Sequence, residues 1–164
     1  MVQCQENELR MIITKPNRVT RTYTQQLVAE PSEVLPLLCP VREAEWIEGW
    51  DPEVVISQSG VAEQGCVFVT KDGAENAIWY ITRHEPENGC IEMVKFVAGV
   101  TVCQLSIRLR AVASGSEADV TYTHTSLGPE GDAYVNSFTE AYYRQFMQDW
   151  ETRLNNYLLL SHSS

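Results

Sequence analysis

Between residues 101 and 110, Thr101, Cys103, Leu105, Ile107 and Leu109 alternate with Val102, Gln104, Ser106, Arg108 and Arg110. A period of two places the first set toward a core and the second toward water, the signature of a half-buried strand. Similar runs cover Val54–Ser57, Cys66–Thr70, Ala77–His84, Cys90–Val97, Val100–Ala113 and Ala118–Ser126. In the last of these, Val120, Tyr122 and His124 share one face, opposite Asp119, Thr121 and Thr123. Gly60, Asp72-Gly73, Pro86-Glu87-Asn88-Gly89, Gly99 and Ser114-Gly115-Ser116 punctuate the series. Connections this short predict an antiparallel meander. Upstream, Arg10 to Val28 reads as extended with a turn at Lys15-Pro16-Asn17, and Val19, Arg21 and Tyr23 face away from Thr20, Thr22 and Thr24. A short helix follows Glu30-Pro31, with Ser32 as its expected cap. Pro36 and Pro40 keep it short, and a second helical turn spans Val41–Trp46.

After Leu127 the period changes. Gly-Pro-Glu-Gly breaks the chain, and a helix is predicted from about Asp132 to Leu160. Val135, Phe138, Tyr142, Phe146, Trp150 and Tyr157 fall in one broad stripe on it, with Asp149 and Arg153 at i, i+4 beside them. Such a helix needs a partner for its apolar face, and a sheet of several strands is the surface large enough to supply one. The fold class is therefore α+β: a curved, mostly antiparallel sheet of about seven strands around a long C-terminal helix, with two short helices after the first strand. Residues 10–160 form one domain, after a flexible segment 1–9 and before a polar tail 161–164. A sheet that curves around a helix leaves space between them for a small molecule.

Composition narrows the function. A chain of 164 residues is long enough for one proper core. The formal net charge of -10 argues against nucleic acid, and Lys15, Arg18 and Arg21 are too sparse for a phosphate-binding stripe. No run approaches the length of a membrane span. The polar first residues lack a signal-peptide core, and five scattered cysteines, Cys4, Cys39, Cys66, Cys90 and Cys103, follow no C-x-x-C pattern. A cytoplasmic protein with reduced thiols, monomeric or homodimeric, is expected. Gly-rich phosphate loops and the G-x-S-x-G elbow are absent, and the histidines match no metal-ligand spacing, so neither metal nor cofactor is expected.

Three stretches carry a family likeness: Pro-Leu-Leu-Cys-Pro-Val-Arg-Glu-Ala-Glu-Trp-Ile-Glu-Gly-Trp (36–50), Trp79-Tyr80-Ile81-Thr82-Arg83 and Thr121-Tyr122-Thr123-His124-Thr125. With the order of elements over residues 18 to 158, the chain resembles the START-like, helix-grip proteins of the SRPBCC superfamily, which includes polyketide cyclase/dehydrase-like and lipid-transfer proteins. The resemblance implies an internal cavity under the long helix and no single reaction, since that superfamily has no shared catalytic motif.

The expected ligand-binding residues are Trp46, Trp50, Trp79, Tyr122, His124, Phe138, Tyr142 and Phe146. Trp46 and Trp50, with Arg42, Glu43 and Glu45, read either as a cavity lid, Arg42 meeting a ligand carboxylate, or as anchors for short helices. Phe138, Tyr142 and Phe146 are placed along the lining, Trp150 and Leu154 in packing. His124 beside Tyr122 and an acid such as Asp149 has the makings of a proton relay, against a strand histidine bonded to its neighbours. The expected function is binding of a small, largely apolar, lipid-like or aromatic molecule without catalysis. The alternatives are a cyclase, dehydratase or hydrolase of polyketide-like substrates, and a protein-interaction module.

Overall fold

A computed structural model of the chain describes residues 11–164. Segment 1–9 and Cys4 lie outside the described residues. Seven strands form one antiparallel sheet: β1 (Arg18–Leu27), β2 (Val54–Ile56), β3 (Val67–Asp72), β4 (Glu75–Glu85), β5 (Cys90–Val97), β6 (Thr101–Val112) and β7 (Gly115–Ser126). Their order across the sheet is β1-β7-β6-β5-β4-β3-β2, so the meander from β2 to β7 pairs sequential neighbours and β1 closes onto β7. Residues 11–17 precede β1 without regular structure, so the first strand starts later than its composition suggested. The helix α1 (Pro31–Val34) runs into a 3-10 turn at Leu35–Leu37, and another 3-10 turn spans Glu43–Glu45. The expected cap at Ser32 is not the one used. Glu30 is the N-cap, without a side-chain bond, because Pro31 already supplies the backbone angle of the first helical position.

The predicted terminal helix is two helices, α2 (Pro129–Ser137) and α3 (Glu140–Ser161). Phe138 leaves helical geometry at φ -80° and ψ 62°, and Thr139 caps α3 by accepting the Tyr142 N–H at 3.1 Å. The reason for the break is tertiary. It turns the Phe138 ring inward, 4.4 Å from the His124 ring, while α2 rests on the end of β7.

The alternation expected in β6 and β7 is what the sheet buries: Thr101, Cys103, Leu105, Ile107 and Leu109 on one strand, Val120, Tyr122 and His124 on the other. The buried stripe of α3 is Tyr143, Met147, Leu154 and Leu158, whereas Tyr142 is 55% exposed and Phe146 37%. Three contacts fix that rotation. The Tyr143 hydroxyl donates to the Val120 carbonyl, buried Gln25 donates its side-chain N–H to Met147 O at 3.1 Å, and Glu151 accepts the Gln26 N–H at 2.6 Å. A buried amide left without such a partner would cost about 1–3 kcal/mol. On the outer face of the sheet, Ile78, Tyr80 and Phe96 remain exposed beside the Thr20–Thr123 and Thr22–Thr121 pairs nearer β1.

Candidate functional site

The strand register builds the floor of the site in two rows. Phe68 pairs with Trp79, Trp79 with Lys95, Lys95 with Cys103 and Cys103 with His124, so five concave-face residues cross β3 to β7. The next row is Ile81, Met93, Leu105 and Tyr122. Above them lie Tyr134 and Phe138 at the α2–α3 junction, Tyr142, Phe146, Asp149, Trp150 and Arg153 on α3, and Glu43, Ile47 and Trp50 from the segment after α1. Between these layers is a cavity of about 370 Å³, within the range of ligand sites. The exposed rings of Tyr142 and Phe146 belong to lining and surface alike, so the cavity opens there.

Seven of the eight expected residues line this space: Trp50, Trp79, Tyr122, His124, Phe138, Tyr142 and Phe146. Trp46 does not. It is buried behind the wall, donates Nε1–H to Leu37 O at 2.9 Å and packs 5.3 Å from Trp150, because its position at the end of the 3-10 turn points it into the core. Trp50 donates to Pro40 O at 2.7 Å and keeps its ring on the cavity. Arg42 does not reach the cavity either. It holds Glu45 through two bonds of 3.0 and 3.2 Å, and Tyr157 donates to the same carboxylate. Trp150, placed in packing, both packs on Trp46 and lines the cavity, while Leu154 is wholly buried. Asp149 accepts a bond from Gln145 at 2.9 Å and makes no ion pair with Arg153.

Lys95, Phe68, Met93 and Tyr134 also line the cavity, beyond the residues expected from sequence. Lys95 carried a signal: with Ile91, Met93 and Val97 it occupies the inward phase of β5, where a charge is unusual. Its ammonium lies 2.5 Å from Asp72 and 5.3 Å from the Trp79 ring centre, which neutralises and shields it.

His124 is 2% exposed and packed edge-on against Phe138 and Tyr134. Its Nε2 lies 3.9 Å from Cys103 Sγ, and its Nδ1 has no protein partner. Burial, with the Lys95 charge nearby, lowers it to about 4, so the ring is neutral at pH 7. The same burial pushes the Cys103 thiol up to about 12 and the Tyr122 phenol well above its ordinary range. Glu43 as a residue is half-buried, but its carboxyl senses the low-polarity surroundings of the cavity and is raised to about 8. Among the described residues, no group of three or more His, Cys, Asp or Glu side chains converges on a metal-sized site.

No protein-family model matches the chain, and none of the curated proteins does. Solved structures do. Norcoclaurine synthase from Thalictrum flavum superposes with a TM-score of 0.64 at 10% identity, over 92% of this chain and 98% of that one. Ara h 8.0201 gives 0.62 at 16% identity, over 87% and 99%. The protein of unknown function SA2116 from Staphylococcus aureus gives 0.67 at 8% identity, over 92% and 99%. At these identities the likeness is one of fold, and the fold is the START-like helix grip.

Proposed function

We propose that the chain binds a small, largely apolar molecule in the cavity between the sheet and the α2–α3 pair, and releases it unchanged. The observation that carries this reading is the hollow itself. A space of about 370 Å³ persists at the centre of the fold, where close packing would otherwise fill the gap with side chains. Its walls are mostly aromatic and aliphatic, with a few polar groups placed singly. An environment-sensitive apolar dye is expected to bind the folded protein and to be displaced by lipid-like or aromatic molecules. Leu105, on the cavity floor, is the residue to enlarge: Leu105→Trp fills empty space, so it abolishes dye binding with little loss of stability. In a filled core the same change would overpack its neighbours and cost about 1–3 kcal/mol. No dye binding by the parent together with a strongly destabilised Leu105→Trp sinks the reading and favours an interaction module.

A second reading, a cyclase, dehydratase or hydrolase acting on a polyketide-like substrate, draws on one observation. A neutral imidazole without a partner on Nδ1 and a carboxyl raised to about 8 share one cavity, a base and an acid each uncharged at neutral pH. Product formation from candidate metabolites separates the two readings. A loss of ~100-fold or more in that turnover for His124→Gln assigns the base.

A further inference from the structure

We propose that the apolar molecule held in the cavity carries one ammonium group, with Glu43 as its counter-ion and the surrounding ring faces as its second attraction. The proposal rests on the binding reading above and names the chemical class of the ligand.

Glu43 lines the cavity with no hydrogen-bond or ion-pair partner for its carboxyl among the described residues. Every other acid that could take its place is engaged. Asp72 holds Lys95 at 2.5 Å, Asp149 accepts from Gln145, and Glu45 on the same turn is held by Arg42 and Tyr157. The cations around Glu43 do not neutralise it. Arg42 is turned to Glu45, Lys95 is paired across the floor, and Arg153 on α3 is exposed. From β7, Tyr122 and His124 face the cavity uncharged at pH 7, as does Tyr134 from the α2 end.

A carboxyl that faces a largely apolar cavity without a partner is costly when ionised. In the empty cavity it stays largely protonated at neutral pH, titrating at about 8. A neutral ligand leaves that condition unchanged, and an anionic one worsens it. An ammonium reverses it, because the ion pair forms away from water and the proton is released. The walls add to the preference: Trp50, Tyr122, Phe138 and Trp150 line the cavity, and aromatic rings attract cations. The net charge of -10 raises the local concentration of cations around the whole molecule.

The test uses two probes of one shape, 2-naphthylmethylammonium and 2-naphthylmethanol, titrated calorimetrically into the full chain at pH 7 in buffers of different ionisation enthalpy. The cation is expected to bind tighter by about 10-fold or more, the scale of a hydrogen bond to a charged group. Its binding should release close to one proton, and the alcohol none. In Glu43→Gln both the preference for the cation over the alcohol and the proton release are expected to vanish. Equal affinities in the parent, or a preference that survives in Glu43→Gln, overturn the proposal and leave the cavity reading standing. Failure of both probes to bind removes the cavity reading and the proposal together. The Glu43 side chain has no bonds to lose and the backbone bonds of residue 43 are kept, so the variant is expected to fold, and its circular dichroism checks that before titration.

Discussion

Glu43 and His124 face the same hollow, and burial moves them in opposite directions. Glu43 is raised from its ordinary 4.5 to about 8, so between those values the folded chain keeps a proton that the unfolded chain has lost. Stability from this group is greatest in acid and falls as pH rises toward 8. His124 is lowered from 6.5 to about 4, so the unfolded chain binds the extra proton in that window, and stability falls as pH drops through it. Thermal melts should therefore show Glu43→Gln losing less stability than the parent between pH 5 and 8. His124→Gln should lose less than the parent between pH 6.5 and 4.5. A parent and a variant with parallel profiles would mean that the side chain concerned is not buried as described.

The connection between α2 and α3 positions Phe138, and two residues hold it. Thr139 is exposed and touches the chain chiefly as the cap of α3, so Thr139→Ala is expected to cost ~1 kcal/mol, read as a shift in denaturation midpoint at unchanged slope. Gly131 holds α2 against the β5–β6 turn: a Cβ there would lie 1.9 Å from the Val100 carbonyl oxygen. Because the obstacle is backbone, Gly131→Ala is expected to cost about 2 kcal/mol or more and to lower affinity for the cavity dye as Phe138 shifts. An alanine that left both quantities unchanged would contradict the close approach of α2 to Val100.

Across the whole molecule, the sheet, α2 and α3 enclose the hollow, and four thiols are buried as well, Cys90 on the outer face of the sheet beneath Arg108. Cys39, Cys66, Cys90 and Cys103 are free and buried, and burial raises Cys66 and Cys103 further from the reactive thiolate. These four are expected to react with an aromatic disulfide reagent only as the fold opens globally, at a rate that follows denaturant, and to alkylate fully once unfolded. Fast native-state reaction of any of them would place it on a locally opening segment instead. No helix among the described residues is long and apolar enough to cross a membrane.

The strands and their facing were legible in residue order because both signals are local. Alternation of period two in β6 and β7 shows the buried side, and glycine-bearing turns mark the hairpins. That a helical region closes the chain was equally plain from its spacing. The break at Phe138 was not, since Ser137-Phe138-Thr139 contains neither proline nor glycine, and the gain comes from a ring buried against His124 on a distant strand. Nor was the rotation of α3. Tyr142 and Tyr143 lie about 100° apart on the helix, both stripes are apolar or aromatic, and the choice falls to the Tyr143–Val120 and Gln25–Met147 bonds. Trp46 and Trp50 looked alike in sequence, yet one packs behind the wall and the other lines it. Hydrophobic pattern tells which residues leave water, and it carries no information on whether they meet. The hollow, and the isolation of Glu43 within it, exist only where β3 to β7, the two helices and the short turn after α1 are brought together.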